Sequence, residues 1–351
     1  MKNKHVVLAL ILSVLVLNVG CKKSDKAIFK SWNDCSSLSA LKEYVKDVTN
    51  KKSKNYIPVE DRIATFDMDG TFYGELFPTY LEYNLLEYRG LFDTNYNAPE
   101  DVKEAATDIK NFVEDGIKLP DHFELKHANA QAKAFAGMTL KEFDSYVKAY
   151  LDKPCWGFDN MKYGQAFYKP IVEVFDYLRE NDFTFYVVSG SDRFICRSLV
   201  CDALDISPEY VIGMDVRLDA VNNNEPMSMT DGLNYVFTPS DQIKRSDELL
   251  IKNLKFNKVR QIAQEIGKVP VMSFGNSSGD VSMHNYALSN DEYKSIAFML
   301  IADDEDRDYA NREKALKLGE TWKESGYNVI SMRDDFKTIY GDGVVKSNNN
   351  K

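Results

Sequence analysis

Four runs of consecutive apolar residues punctuate the chain, and each ends abruptly in a polar turn. Ile63-Ala64-Thr65-Phe66 runs into Asp67-Met68-Asp69-Gly70-Thr71, and residues 183–188 run into Ser189-Gly190-Ser191. Residues 269–274 run into Gly275-Asn276-Ser277-Ser278-Gly279-Asp280, and a weaker run at 295–301 ends in Ala302-Asp303. Short apolar runs bounded by turn residues predict buried strands. Between them, apolar positions recur at helical spacing over residues 38–48, at Val172, Val174, Phe175 and Leu178, and over residues 258–266. Strands alternating with helices predict an α/β fold, a Rossmann-like parallel sheet with helices on both faces. Ligands of such sheets bind at the carboxyl ends of the strands.

Residues 72–168 break this alternation. They carry helical periodicity only, at Tyr80-Leu81-Tyr83-Leu85-Leu86, at Ile109-Phe112-Val113 and at Phe143-Tyr146-Val147-Tyr150-Leu151. They are read as a helical cap inserted between the first and second strand-ending motifs, so that the core is residues 37–71 plus 169–345. Residues 221–231, with three successive asparagines, read as a surface excursion, and residues 346–351 as a disordered tail. No internal repeat is visible.

The N-terminus is read as an address. Lys2 and Lys4 precede an apolar run from Val6 to Leu17, about 12 residues against the roughly 20 that a bilayer span needs, which favours an export signal over residues 1–21. Leu17-Asn18-Val19-Gly20-Cys21 resembles the lipobox of bacterial lipoproteins, although Asn18 stands where leucine is usual. That resemblance implies lipidation of Cys21, an exported protein of the periplasm or cell surface, and a tether over residues 22–36. Cys35, Cys155, Cys196 and Cys201 remain, an even number in a setting where disulfides persist, and both bridges and free buried thiols stay open.

Composition narrows the function classes. With 351 residues, a net charge of -10 and 44% hydrophobic residues, the chain is neither collagenous nor disordered, and it has ample material for a core. No dense Lys/Arg block follows the leader, so nucleic acid is not expected as a partner.

The chemistry concentrates at the strand ends. Asp67 and Asp69 would repel each other unless a cation intervened or one were protonated. A hard divalent ion such as Mg²⁺ suits oxygen donors of this kind. Asp67 is then a nucleophile toward phosphorus, Asp69 an acid and base, and Thr71 a phosphate contact. Ser189 and Gly190 can hold phosphate oxygens, Lys258 can offset phosphoryl charge, and Asp280 supplies a third carboxylate. In this order and spacing the chain resembles the haloacid dehalogenase superfamily of aspartate-nucleophile hydrolases over residues 63–283. The resemblance implies Asp67 as nucleophile and metal ligand, Asp69 as acid/base ligating through its carbonyl, Ser189 on phosphate, Lys258 as the third-motif lysine and Asp280 as a metal acid. Asn276 replaces an aspartate common at its position, and is read as binding metal-bound water. Lys255 and Lys268 are rivals of Lys258. Asp69 speaks against the dehalogenase branch, which lacks it.

Phe72, Tyr73 and Glu75 directly follow the nucleophile loop. Aromatic faces with a carboxylate suit a cation, and the segment loosely resembles phosphorylcholine and phosphoserine phosphatases. The substrate expected is therefore a small phosphomonoester with an amine head, such as phosphocholine, phosphoethanolamine or phosphoserine. A non-catalytic phospho-ligand-binding lipoprotein and a phosphotransferase or mutase of the same fold are the alternatives. His284 is read as a helix residue near the site, and Asp303-Asp304-Glu305-Asp306 as a solvated loop with a secondary cation site as the alternative.

Overall fold

The computed structural model describes residues 25–222 and 227–347. The expected export signal and lipidation site, residues 1–21, and residues 348–351 lie outside the described residues. Among those described, no helix is long and apolar enough to cross a membrane.

Seven strands form one sheet: β1 (Ile63–Phe66), β2 (Thr184–Asp192), β3 (Val211–Ala220), β4 (Ile243–Ile251), β5 (Met272–Gly275), β6 (Ile296–Ile301) and β7 (Asn328–Ser331). Their spatial order is β4-β3-β2-β1-β5-β6-β7. All neighbours are parallel except β3 and β4, where Asp219 pairs with Lys244 in antiparallel register. The chain reverses direction across the sheet at β1, which lies between β2 and β5, and the crevice of an open α/β sheet forms at such a reversal.

In chain order the principal helices are α1 (Ser36–Thr49), α2 (Leu81–Glu87), α3 (Glu100–Asp115), α4 (Phe123–Ala134), α5 (Leu140–Leu151), α6 (Lys169–Glu180), α7 (Arg193–Leu204), α8 (Phe256–Glu265), α9 (Val281–Leu288) and α10 (Arg312–Glu324). Beneath the reversal point the core is a ladder of rings. Phe66 stacks on Phe274 at 4.3 Å and Phe274 on Phe298 at 4.6 Å, nearly coplanar, which ties three adjacent strands together.

Helices α2 to α5 lie between β1 and α6. The excursion leaves and re-enters through one backbone pair, with Gly74 N–H donating to Ala166 O at 2.9 Å and Tyr168 N–H to Phe72 O at 2.8 Å. Its far side docks on the edge strand β4, where Gly137 N–H donates to Arg245 O and Arg245 N–H to Met138 O, both at 2.8 Å. The Arg245 guanidinium is buried against Asp192 at 2.5 Å and lies 4.0 Å over the Phe143 ring.

Several sequence expectations are corrected. Residues 29–36 do not form a solvated tether: Phe29 and Trp32 are buried, and the Trp32 indole N–H donates to Pro170 O at 2.8 Å. Apolar rings gain more from α6 than from water. Lys346 is not in a disordered tail, since it pairs with Phe158 in a short antiparallel ribbon and its ammonium donates to Glu305 O and Asp308 O. The acidic run after β6 is solvated only in its second half, at Glu305 and Asp306. Asp303 accepts from Ser331 Oγ and Arg333 N–H, and Asp304 pairs with Arg307, both carboxylates being buried. The four described cysteines are free thiols.

Candidate active site

Strand β1 ends at Phe66, and the chain turns tightly, with the N–H groups of Thr71, Phe72 and Tyr73 all directed at Met68 O. Gly70 makes the turn possible. Its φ is +75°, and a Cβ there would come within 1.9 Å of Asn276 Nδ2. The turn brings Asp67 and Asp69 to the carboxyl edge of the sheet, where Asp67 N–H is anchored on Phe274 O at 2.9 Å.

Lys258, from the first turn of α8, reaches under both motifs. Its Nζ lies 2.5 Å from Asp67 Oδ1 and 2.7 Å from Asp280 Oδ1, fully buried. Burial alone would lower this ammonium, yet the carboxylates of Asp280 and Asp67 more than offset that and hold it above its ordinary value. Burial likewise raises Asp280, but Lys258 outweighs it and the carboxyl is held low. The other Asp280 oxygen accepts from the N–H groups of Asn276 and Ser277 and from the Ser277 hydroxyl. Asp280 therefore clamps the loop after β5 onto the lysine. Lys268, one rival, pairs with Asp61 away from this centre; the other, Lys255, lines the cavity.

Asp67, Asp69 and Glu75 are pushed toward protonation. Burial, then the charge of Asp280, pushes the Asp67 carboxyl up to about 6 despite Lys258. Burial pushes Asp69 up to about 7, against the hydrogen bond that Ser191 Oγ donates to it at 2.7 Å. Burial and the charges of Asp69 and Asp67 push Glu75 up to about 8. Asp69 Oδ1 is buried with no hydrogen-bond partner.

These residues line a cavity of about 380 Å³ together with Gly190, Asn276 and Lys252. Thr71 stands behind, its hydroxyl 3.4 Å from Asp67 Oδ2. Ser189 is fully buried and does not line the cavity. An irregular register between Val188 and Asp192 tucks its hydroxyl under the Ser191 N–H, and Ser191 faces the cavity in its place. Phe72 and Tyr73 are also turned inward. Phe72 packs on Phe175, and the Tyr73 hydroxyl donates to Tyr163 O. Of the three specificity candidates only Glu75 faces the cavity, accepting from Asn276 Nδ2 at 3.1 Å.

The insertion supplies the opposite wall through Tyr80, Glu82, Tyr83 and Glu124. Glu82 is buried, and its carboxylate meets Lys252 Nζ at 2.6 Å, accepts from Asp192 N–H at 3.1 Å and lies 3.6 Å from His127 Nδ1. Lys252 and its neighbours outweigh burial and hold Glu82 low. Sequence reasoning missed Glu82, Lys252, Ser191, Tyr80, Tyr83 and Glu124. One signal was available: Glu82 is a charge set among the apolar positions Leu81, Tyr83, Leu85 and Leu86. His284 is a buried neutral residue pushed down to about 4 by burial, with Nδ1 2.7 Å from the Ser273 hydroxyl.

Among the described residues no three acidic, histidine or cysteine groups converge as a ready metal cluster. Mg²⁺ does not demand one, because it commonly takes one or two carboxylates and completes its shell with water and substrate phosphate. The donors here fit that pattern. Asp67, the Asp69 carbonyl and Asp280 offer oxygens, Asn276 can act through a bound water, and the carboxylates lining the cavity outnumber the ammonium groups of Lys252, Lys255 and Lys258.

No protein-family profile and no curated protein matches the chain. Solved structures do. A conserved functionally unknown protein from Anaerococcus prevotii DSM 20548 is 15% identical, over 86% of this chain and 92% of that one, with a TM-score of 0.49. A phosphoserine phosphohydrolase-like protein from Francisella tularensis subsp. tularensis SCHU S4 is 14% identical over 77% and 94%, with a TM-score of 0.40. Cytosolic 5'-nucleotidase IIIB, bound to cytidine, is 11% identical over 84% of each chain, with a TM-score of 0.46.

Proposed function

We propose that the protein is a Mg²⁺-dependent phosphomonoester hydrolase working through an aspartyl-phosphate. The observation that carries this reading is the buried bridge from Lys258 to Asp67 and Asp280, with Asp69 two residues away and held by Ser191. A carboxylate pinned by an ammonium on one oxygen keeps the other free to attack phosphorus. As that bond forms, the bond from phosphorus to the ester oxygen breaks, and Asp69 gives its proton to the departing oxygen. Asp69, now ionised, takes a proton from water, and the resulting hydroxide bonds to phosphorus as the bond from phosphorus to Asp67 breaks, which frees phosphate and restores the Asp67 carboxylate. A carboxyl at about 7 suits both transfers near neutral pH. When bound, Mg²⁺ would neutralise charge on the phosphoryl oxygens, held by Asp67, the Asp69 carbonyl and Asp280, with Asn276 acting through a bound water.

The cavity size supports a small substrate, and the rings of Tyr80 and Tyr83 beside Glu75 and Glu124 support an amine head. The helical insertion acts as the cap that closes over it, and Cys21 as a lipid anchor of an exported protein.

Phosphate release by the full chain from a panel of small phosphomonoesters, with Mg²⁺ or chelator, tests this. Turnover that needs the metal and disappears in Asp67→Asn is expected, fastest on amine-bearing esters. Phosphoester binding without turnover would establish a non-catalytic binder instead, and equal rates on sugar phosphates would remove the amine head.

A further inference from the structure

A second cavity, of about 510 Å³, lies within the insertion and exceeds the one at Asp67. Its walls include Tyr88, Tyr150, Trp156 and Tyr163, with the carboxylates of Glu87 and Glu114. The rings are not loosely scattered. Tyr150 and Tyr163 stack at 5.2 Å, and Tyr88 stands 5.5 Å from Tyr150.

Helix α2 separates the two cavities. Glu82 and Tyr83 face the Asp67 side, while Asn84 and Glu87 face the other. Immediately after Glu87 the helix widens into a π turn over Tyr88–Phe92, and both ends of that turn line the second cavity. Such a widening costs hydrogen-bond geometry and recurs at functional sites.

Glu87 is the group without an evident structural use. It is partly buried, and among the described residues it has no hydrogen bond and no ion pair within contact distance. Burial and the charge of Glu114 push it up to about 7. Lys110, the nearest cation acting on it, lies 3.6 Å from Glu114 instead. The rings show what they attract, since Lys153 Nζ sits 4.0 Å over the Tyr88 ring and 5.9 Å from Tyr150.

We propose that this cavity is a binding site for a small organic ammonium ion, held by the ring faces of Tyr88, Tyr150, Trp156 and Tyr163 with Glu87 as its counter-ion. Carboxylate and rings then do together what neither does alone. The rings supply a cation with stabilisation that a neutral isostere does not receive, and the cation relieves Glu87. The site is separate from the one at Asp67, and it stands whether or not that site hydrolyses phosphoesters.

Choline chloride titrated into the full chain, followed by calorimetry and by Trp156 fluorescence, tests it. Its uncharged isostere 3,3-dimethylbutan-1-ol and sodium chloride at equal ionic strength are the controls. Binding of choline is expected, with the isostere weaker by at least about fivefold. Glu87→Gln should weaken choline by a similar factor, and Glu124→Gln, which alters only the Asp67 cavity, should leave the fluorescence titration unchanged. Should Glu87→Gln not fold, Tyr88→Leu, which removes one of the ring faces, carries the test and should weaken choline by a similar factor. The proposal is overturned if the alcohol binds as tightly as choline, if Glu124→Gln rather than Glu87→Gln removes the response, or if choline does not bind.

Discussion

Two buried lysines face the same cavity, and they differ in what holds them. Lys258 is gripped by Asp67 and Asp280, both at strand ends of the sheet, at 2.5 and 2.7 Å. Lys252 is gripped by Glu82, at 2.6 Å, from a helix of the insertion. The first ion pair is closed within the core and keeps its geometry whatever the insertion does. The second crosses between the two parts, so lifting the insertion must break it. Each has a buried neutral histidine beside it, His284 near Asp280 and His127 against Glu82. The Lys258 pair is thus a fixed unit of the core, and the Lys252 pair a separable one between core and insertion.

The comparison breaks most severely at Lys258. Lys258→Met should slow phosphate release on the order of 10²- to 10³-fold while leaving Asp67 and Asp280 to repel each other. Steady-state kinetics beside urea unfolding would show both losses, and an unchanged rate would remove the lysine from the mechanism.

Glu82→Gln comes next. It strands the Lys252 ammonium, and losing one partner of a buried pair costs about 3–5 kcal/mol. The double variant Glu82→Gln/Lys252→Met should recover much of that, with urea midpoints as the readout. No recovery would mean that the pair does not hold the insertion down.

A smaller effect is pH-dependent and treats the two units alike. Burial pushes both His127 and His284 down to about 4, so the unfolded chain binds protons below its ordinary histidine value of about 6.5 while the folded chain does not. Each histidine therefore withdraws stability as pH falls from about 6.5 to 4, at about 1.4 kcal/mol per unit. The stability difference between wild type and His127→Gln should follow that slope in this window and be flat above it. The smallest effect expected is Ser191→Ala, which removes the hydroxyl from Asp69 and should cost about 1 kcal/mol and shift the alkaline limb of the kcat/KM profile upward, since Asp69 must be protonated to act as the acid.

Legibility follows burial. Strands β1, β2, β5 and β6 were readable because the sheet covers both their faces, which leaves unbroken apolar runs. β4 was not, because Ile243–Ile251 is an edge strand rich in charge with only Arg245 and Ser246 fully buried. Helix α4, alanine-rich and weakly amphipathic, left no stripe to detect. At the site, Asp67, Asp69 and Asp280 were found because each stands in the polar turn that ends an unbroken apolar run, and Lys258 because it opens the amphipathic helix ahead of one such run. Lys252 and Glu82 are 170 residues apart, and nothing local announces their meeting. Phe72 and Tyr73 were misplaced for a different reason. Adjacency to Asp67 does not bring exposure to the cavity, because three amides converging on Met68 O turn both rings into the core.

The paired stem at residues 72–74 and 166–168 has an evolutionary consequence. Everything between its strands is, to the sheet, one loop whose ends are already joined, and each doubling of such a loop costs only about 0.6 kcal/mol in closure entropy. Lineages can therefore lengthen, prune or trade what lies beyond Gly74 and Ala166 while the reactive strand ends are inherited intact.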